Sequence, residues 1–248
     1  MKNIVMIGNE VLKIDNKIVT SSHQPLTMNV IKYYNFENTI SDLNSRRYPT
    51  DCYPTPINWD QGYYTTGVIG NCLIYSFVSN NSLSVWSTDS SCLSLFNSEL
   101  DWSISCWIKP PIGGYMQTQH MEIFNISHNT TMDFWLTYRW DGLAPATLQF
   151  GGPFTYKDIN VTNDGLWHHV IVRRSGIIYE MIWDHGTPKH EEVGSIQTES
   201  ATIIGIGTNS RNLCSYNDED NCIDELYFFN KYLSDYDIHY LYNSKIIY

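Results

Sequence analysis

Apolar and polar residues alternate with a period of two along most of the chain, as in β-strands that bury one face. Short runs rich in Ile, Val, Tyr, Phe and Trp are separated by turn signals such as Pro110-Pro111, Gly113-Gly114 and Asp141-Gly142. We therefore expect an all-β fold, a jelly-roll sandwich of two antiparallel sheets. The predicted strands cover residues 31–37, 71–77, 83–86, 102–109, 122–126, 133–138, 147–150, 167–173, 177–184, 202–206 and 223–229.

The first residues are predicted to form a separate element. Residues 11–20 predict a β-hairpin with a tight turn at Asp15-Asn16, followed by a polar break that ends at Pro25. An isolated hairpin is marginal in water, so the apolar residues Leu12, Ile14 and Ile18 need something to pack against. This segment is either an extra ribbon on its own domain or an anchoring arm. We divide the chain into residues 1–27, the arm, and residues 28–248, the jelly-roll domain.

One helix is predicted at the end of the domain. Ser234 has the side chain of an N-cap and Asp237 follows three residues later. Ile238, Leu241 and Tyr242 then fall on one face of the helix. This spacing predicts a short amphipathic helix that packs on a sheet.

Composition supports a β fold and excludes several functions. Alanine occurs only at positions 144, 146 and 201, while aromatic residues make up 14% of the chain. The net charge of −11 argues against a nucleic-acid binder, because neutralising phosphates requires a surplus of Lys and Arg. No run of 18 apolar residues is present, so we expect no membrane insertion. Glu10, Lys13 and Asp15 interrupt the start of the chain, so we also expect no secretory signal.

The six cysteines do not form a metal or redox motif. None of them is arranged as C-x-x-C, which disfavours a zinc ribbon and a thioredoxin-like site. Cys72 and Cys106 lie in apolar strand patterns and are predicted to be core residues. Cys214 and Cys222 flank an acidic loop, and a disulfide between them is left open because it depends on the redox compartment.

Several segments together resemble laminin-G-like, concanavalin A-like jelly rolls. They occur in the family's order over about residues 30–245, and the most specific are WHHV (167–170) and the run IDEL…LS…LY (223–242). The other segments are YYNFENTISDLN (33–44), GVIGNCLIYSF (67–77), WSISCWIKP (102–110) and IIYEMIWDHG (177–186). The resemblance implies a sandwich of two antiparallel sheets that usually serves as a binding or adhesion module. It does not fix the ligand, since one fold carries many functions.

An enzymatic role is not expected. Adjacent strand residues point to opposite faces, so His168 and His169 cannot share a ligand, and Asp224 and Glu225 are expected to tie loops by hydrogen bonds. Retaining glycosidases of related fold need two carboxylates about 5–5.5 Å apart on one face. The acidic residues of this chain cluster instead in a predicted loop, and no nucleophile elbow, P-loop or H-E-x-x-H motif occurs.

The acidic loop is a candidate calcium site. Asp218, Asp220 and Asp224 offer the oxygen ligands that Ca²⁺ prefers, although their spacing is not that of a known calcium loop. A solvated acidic turn is the simpler alternative. Apart from Ca²⁺ at this loop, we expect no cofactor.

Strand alternation indicates where a ligand would bind. If Ile104, Cys106, Val170 and Val172 face the core, then Trp107 and His169 face outward. If Phe134, Leu136 and Tyr138 face the core, Trp135 and Arg139 face outward on their strand. A platform of Trp107, Trp135, Arg139 and His169 would suit sugars, because aromatic rings stack on sugar faces and polar groups bind hydroxyls. The alternative is that a loop such as 45–66, or another subunit, covers these tryptophans.

The sequence resembles virion proteins of tailed bacteriophages, many of which display laminin-G-like domains. We therefore expect a non-enzymatic phage structural protein at the virion surface, such as a head fibre, a capsid decoration or a tail-associated protein. Its expected partners are other virion proteins, bound through residues 1–27, further copies of itself in a homo-oligomer, and host-surface or environmental glycans. The alternative is a secreted carbohydrate-binding module of a polysaccharide-degrading system. Neighbouring capsid or hydrolase genes would distinguish the two.

Overall fold

The computed structural model is a β-sandwich of two antiparallel sheets with a helix packed on the outside of one of them. This confirms the predicted all-β class. The residues that the structure describes are 5–7, 10–12, 29–34, 64–75, 77–78, 81–82, 85–87, 94–96, 100–110, 119–128, 131–140, 145–151, 156–176, 178–192, 203–206 and 221–244.

The six-stranded sheet has the strand order β13-β12-β11-β10-β17-β8 among the described residues. Every neighbouring pair is antiparallel, and the β10–β11 pair is the longest, joining ten-residue strands through two irregularities in register. The strands are β8 (Val85–Ser87), β10 (Gln119–His128), β11 (Thr131–Trp140), β12 (Ala146–Gly151), β13 (Tyr156–Val161) and β17 (Ile203–Ile206).

The eight-stranded sheet has the order β16-β15-β14-β9-β18-β5-β4, and β3 also pairs with β18. The two strands β5 and β3 therefore follow one another along a single edge of β18. The strands are β3 (Val30–Tyr34), β4 (Tyr64–Thr66), β5 (Asn71–Tyr75), β9 (Trp102–Lys109), β14 (His168–Ser175), β15 (Ile178–Trp183), β16 (Lys189–Glu192) and β18 (Asn221–Phe229).

Two short ribbons lie outside these sheets. One joins β6 (Phe77–Val78) to β7 (Asn81–Ser82), and the other joins β1 (Val5–Ile7) to β2 (Glu10–Leu12). This hairpin precedes the predicted one over residues 11–20, which lies outside the described residues beyond residue 12 and stays a prediction. Ile7 pairs with Glu10, which leaves Gly8-Asn9 between the strands, a dipeptide typical of two-residue hairpin loops. The predicted turn at Asp15-Asn16 lies outside the described residues.

The core lies between the two large sheets. Alternate residues of β9 and β14, including Ile104, Cys106 and Val172, pack there against Leu136 and Phe150 of the six-stranded sheet. Cys72 and Cys106 are buried as free thiols, as predicted from their apolar surroundings. Cys214 lies outside the described residues, so the disulfide to Cys222 that the sequence left open is not tested.

Helix α1 (Asp235–Ser244) begins where the sequence predicts. The Asp237 N–H donates to Ser234 Oγ at 3.2 Å, and Asp237 Oδ2 accepts from the Ser234 N–H at 2.9 Å. This reciprocal pair satisfies two backbone donors at the start of the helix. Ile238 and Leu241 are both 2% exposed and pack on the outer face of the eight-stranded sheet. Residues 94–96 are also helical, and no helix in the described ranges is long and apolar enough to cross a membrane.

Candidate functional site

The outer face of the six-stranded sheet carries polar side chains on strands whose other face is apolar. In β11, Leu136 and Tyr138 are at most 1% exposed and belong to the core. Trp135 and Arg139, on the alternate positions, are half-buried, and Thr137 lies between them. The prediction of which residues of this strand face the core is therefore correct for the residues whose side chains the structure describes. The alternation places Trp135 and Arg139 on the side away from the core.

Strand pairing places more polar residues beside Trp135 and Arg139. Across the β11–β12 pair, Thr137 is opposite Gln149 and Arg139 is opposite Thr147. Directly opposite residues of antiparallel strands share a face, so these side chains form one surface. We call this surface the outer polar face. Its residues with described side chains are Asn125, Trp135, Thr137, Arg139, Thr147, Gln149, Asp158 and Asn160, and the register also places His120 and Glu122 of β10 opposite Arg139 and Thr137.

The pairing also places a glycine directly opposite Trp135. Trp135 lies opposite Gly151 on β12 and opposite Asn125 on β10, and Asn125 in turn lies opposite Gly205 on β17. Glycine has no side chain, so the direct neighbour of Trp135 on β12 adds nothing above the sheet. A half-buried indole beside a glycine is suited to stacking against a flat ligand.

Four polar side chains of the outer polar face have no partner among the described residues. In the part of the chain that the structure describes, the side chains of Thr137, Arg139, Thr147 and Gln149 make no hydrogen bond or ion pair. Polar groups that are largely withdrawn from water normally have partners, and Gln149 is only 8% exposed. Convergent polar side chains without protein partners are what a polar ligand needs.

Trp107 and His169 do not join this surface, so the predicted four-residue platform is not formed. They lie on β9 and β14 of the other sheet, paired directly opposite each other. Both point away from the core, as the alternation predicts, but they are only 6% and 1% exposed. Trp107 stacks on His169 at 4.9 Å and on Tyr242 of α1 at 5.5 Å between ring centroids. Tyr242 of the C-terminal helix thus covers both rings.

His169 is part of the packing beneath α1. Its Nε2 lies 2.8 Å from Ser105 Oγ. Burial lowers the pKa of His169 to about 3, because a charged imidazole would lose its hydration there. His169 is therefore neutral at physiological pH and has a structural role.

His168 points to the opposite side of β14, so the prediction that the two histidines diverge is confirmed. Its Nε2 lies 2.8 Å from Asp164 Oδ1 and its Nδ1 lies 2.5 Å from Asp184 Oδ2. The ring also stacks on Trp183 at 4.5 Å. Burial by itself would lower the pKa of His168, but the hydrogen bonds and charges of Asp184 and Asp164 outweigh it and raise the pKa.

A tight turn holds Asp184 against His168. Asp184 and His185 both have positive φ, 49° and 57°, as in the two-residue turns that favour right-handed strand twist. A Cβ on the next residue, Gly186, would come within 2.8 Å of the Trp183 carbonyl oxygen, so glycine is required there. Asp184 Oδ1 also accepts the His169 N–H at 2.9 Å, which fixes the carboxylate beside the imidazole.

We expect the stability of the fold to decrease as pH rises through the folded-state pKa of His168. A raised pKa means that the folded state binds the proton more tightly than the unfolded state does, so the stabilisation is complete below the ordinary value of 6.5. Urea unfolding of the wild type and His168→Gln over a pH series measures the difference between their free energies of unfolding. That difference should shrink with rising pH and be smaller in an Asp184→Asn background. A difference that is constant with pH would contradict the charged state of His168.

The candidate calcium loop is only partly described. Asp218 and Asp220 lie outside the described residues. Asp224 is fully buried in β18 and accepts N–H bonds from Val68 at 2.8 Å, Ile69 at 3.2 Å and Glu225 at 2.9 Å. Burial, with the charge of Glu225 adding to it, raises the pKa of Asp224 to about 8 despite those bonds.

Asp224 therefore ties the loop at residues 67–70 to the sheet, as predicted. The calcium site stays a prediction, because two of its three residues lie outside the described ranges. Glu225 does not tie a loop through these contacts; it joins two strands, accepting from the hydroxyls of Tyr33 on β3 at 2.6 Å and Tyr227 on β18 at 2.7 Å. Within the described ranges, no group of three His, Cys, Asp or Glu residues could hold a metal ion.

Sequence reasoning missed Thr137, Thr147 and Gln149 as members of the candidate site. The available signal was the polar alternation through residues 135–139 and 147–149, which marks two half-buried strands. It does not show that β11 and β12 are neighbours, nor which residues are opposite each other. Register depends on the loop between them and on the packing of both strands.

Comparisons with known proteins identify the fold. No protein-family model matches the chain. No curated protein matches it either. Among solved structures, domain 4 of AbnA, a GH43 extracellular arabinanase from Geobacillus stearothermophilus in complex with arabinotriose, is 18% identical with a TM-score of 0.58. The match covers 85% of this chain and 96% of that one.

Receptor-binding domains of toxins match as well. A botulinum neurotoxin type C structure, from a study of its interaction with two ganglioside molecules, is 16% identical with a TM-score of 0.60, covering 88% of this chain and 52% of that one. The binding domain of botulinum neurotoxin DC in complex with rat synaptotagmin II has a TM-score of 0.61 at 15% identity, with coverages of 88% and 52%. The chain thus spans about half of the neurotoxin chains. At these identities the likeness shows the β-sandwich fold alone.

Proposed function

We propose that this protein is a non-catalytic carbohydrate-binding module whose ligand lies on the outer polar face. The observation that carries the proposal is the set of polar side chains that, in the described part of the chain, have no partner and lie beside a half-buried tryptophan. Such a surface combines an aromatic ring for the apolar face of a sugar with hydroxyl, amide and guanidinium groups for its hydroxyls.

The comparisons support the class of ligand. The arabinanase domain matches this chain over nearly its whole length and was solved with a bound oligosaccharide, arabinotriose. The neurotoxin type C study concerns gangliosides, which carry sugars, but this chain covers only half of that binding domain. The arabinanase domain is therefore the stronger support for glycan binding, and neither comparison locates the ligand on this chain.

Replacing Trp135 with alanine tests the site. We expect glycan affinity to fall by at least tenfold, or about 1.4 kcal/mol, because the stacking surface is lost. The melting temperature should change little, since the ring is only half-buried on the outside of the sheet. A glycan array identifies a ligand, and titration calorimetry then compares the variant with the wild type.

Tyr236→Ala is the matched control, because Tyr236 is a 61% exposed aromatic residue on α1, at the other sheet. Its removal should leave affinity unchanged. Failure of the wild-type protein to bind any glycan would contradict the proposed function. Equal affinities of Trp135→Ala and the wild type would contradict the proposed site.

For the biological setting, we propose attachment to a larger assembly through residues 1–27, as in a phage virion protein. The supporting observation is that β1 and β2 pair with each other and, among the described residues, with no strand of the two large sheets. A secreted module of a polysaccharide-degrading system is the competing setting, and the likeness to an arabinanase domain favours it. The genes next to this one distinguish the two.

A further inference from the structure

We propose that His185 and His239 together bind a divalent late first-row transition metal ion, such as Zn²⁺ or Cu²⁺. The two histidines come from the turn after β15 and from α1, on the outside of the eight-stranded sheet. This inference is independent of the proposed function, whose ligand lies on the other sheet. It is carried by the spacing, the orientation and the exposure of the two imidazole rings.

The ring nitrogens of the two histidines lie close together. His239 Nδ1 is 3.2 Å from His185 Nε2, and both side chains are exposed. Two nitrogens bound to one tetrahedral Zn²⁺ lie about 3.3 Å apart, because each Zn–N bond is about 2.0–2.1 Å long. An ion can therefore bind both nitrogens with only small movements of the side chains.

The orientation of the two rings also suits ligands of one ion. The ring centroids are 4.8 Å apart, and the ring planes meet at 61°. In a straight N–H···N hydrogen bond both ring axes lie along the line that joins the nitrogens, and the centroids are then about 5.5 Å apart. Because the observed separation is shorter, the ring axes are inclined to that line, as are those of two ligands that point at one ion.

The turn holds His185 in a conformation that other residues adopt at lower cost. The Gly186 N–H donates to the Trp183 carbonyl at 2.8 Å, which closes a two-residue turn with His185 in its second position. His185 has a φ of 57°, which lies in the left-handed region that glycine and asparagine favour. Residues with a β-carbon in this region cluster at binding sites. Here the strained residue is the one that carries an imidazole to α1.

Aromatic packing fixes both rings beside each other. The ring centroid of Tyr242, which lies on α1 with His239, is 6.0 Å from that of His185 and 5.5 Å from that of Trp107. Side chains that are already held by their neighbours lose little freedom when they bind a ligand. A bound ion would join the turn after β15 to α1, above the stack of Trp107 and His169.

Asn243 controls the protonation of His239. Its Nδ2 donates to the His239 carbonyl at 2.7 Å and lies 3.1 Å from His239 Nε2. A second hydrogen of this amide donated to Nε2 places the ring proton on Nδ1, which faces His185. A metal ion needs the lone pair of Nδ1, so the proton moves to Nε2 when the ion binds. The exposed Asn243 side chain then turns its amide oxygen toward that proton.

The donor atoms define the class of ion. Imidazole nitrogens suit Zn²⁺, Cu²⁺ and Ni²⁺, whereas Ca²⁺ and Mg²⁺ take oxygen ligands. Within the described ranges, no third His, Cys, Asp or Glu joins the pair to complete a metal-binding group. Water therefore fills the remaining positions, and the ion exchanges more readily than one held by the four protein ligands of a structural zinc site.

Titration calorimetry of the full chain with Zn²⁺ alone tests the site. We expect one Zn²⁺ per chain at this site, at least tenfold tighter than Ca²⁺, and a rise in melting temperature when Zn²⁺ is added. His185→Gly keeps the turn and His239→Ala keeps the helix, and each should weaken Zn²⁺ binding at least tenfold because one imidazole remains. Asn243→Asp should tighten it about tenfold, because a carboxylate accepts from the Nε2–H and fixes the ligating tautomer.

His128→Ala, at a histidine that ends β10 in the other sheet, is the matched control and should bind Zn²⁺ like the wild type. Absence of Zn²⁺ binding at millimolar concentration would overturn the inference, as would Ca²⁺ binding of equal strength. If only one of the two histidine variants weakens binding, the ion is not shared and the inference is wrong. Unchanged affinity in Asn243→Asp would show that Nδ1 of His239 is not the ligand atom. None of these outcomes affects the proposed glycan site.

Discussion

Replacing Arg173 with methionine is expected to lower the free energy of unfolding by about 3–5 kcal/mol, because it leaves a buried carboxylate without its cation. Arg173 and Glu180 are each 4% exposed and form a direct ion pair across the β14–β15 ladder. The guanidinium also donates to the Leu233 carbonyl at 2.7 Å, just before α1. Tyr232 donates its hydroxyl to Glu180 at 2.5 Å and stacks its ring on the guanidinium. This cluster anchors the helix to the sheet.

Urea unfolding of Arg173→Met and the wild type measures the loss. The matched control is Arg174→Met, the next residue on β14, which faces the other way, is half-buried, and should lose far less. The double variant Arg173→Met with Glu180→Met should be more stable than Arg173→Met alone, because it removes the uncompensated charge. A loss in Arg173→Met no greater than in Arg174→Met would show that the pair does not anchor the helix.

Replacing Trp107 with alanine should also destabilise the fold by about 3–5 kcal/mol, the usual cost of truncating a buried tryptophan. The indole lies in a stack with His169 and Tyr242, and its loss would leave a cavity beneath α1. Trp135→Ala, on the outer polar face, should cost clearly less because that ring is half-buried. Thermal and urea unfolding of both variants give the comparison. Equal losses would mean that both tryptophans are packed alike.

The strands were predictable because apolar and polar residues alternate within each of them. Each of the eleven predicted strands overlaps an observed one, and the strand Trp102–Lys109 has the same bounds in both. Short edge strands such as Tyr64–Thr66 and Lys189–Glu192 were missed, since three or four residues carry too little alternation. The N-cap of α1 was found because capping is a contact between residues three apart.

The candidate site was predictable only in part. Alternation correctly placed Trp135 and Arg139 away from the core, and it did the same for Trp107 and His169. It does not reveal that the two pairs lie on different sheets, since sheet membership depends on pairing between distant segments. It also does not reveal that a second layer covers one of the outer faces. Exposure is a property of the whole fold, whereas alternation describes one strand.

The sequence by itself determined the β class, the order of the strands along the chain and the side of the strand to which Trp135, Trp107 and the two histidines point. These features follow from the alternation of apolar and polar residues with a period of two, which involves only residues close together in the chain. Only the tertiary structure decided which side chains are accessible. Because α1 packs on the eight-stranded sheet, Trp107, His169 and Arg173 are buried there. On the other sheet, the antiparallel register brings Thr147 and Gln149 to Arg139 and Thr137, and that register is set by contacts between residues far apart in the chain.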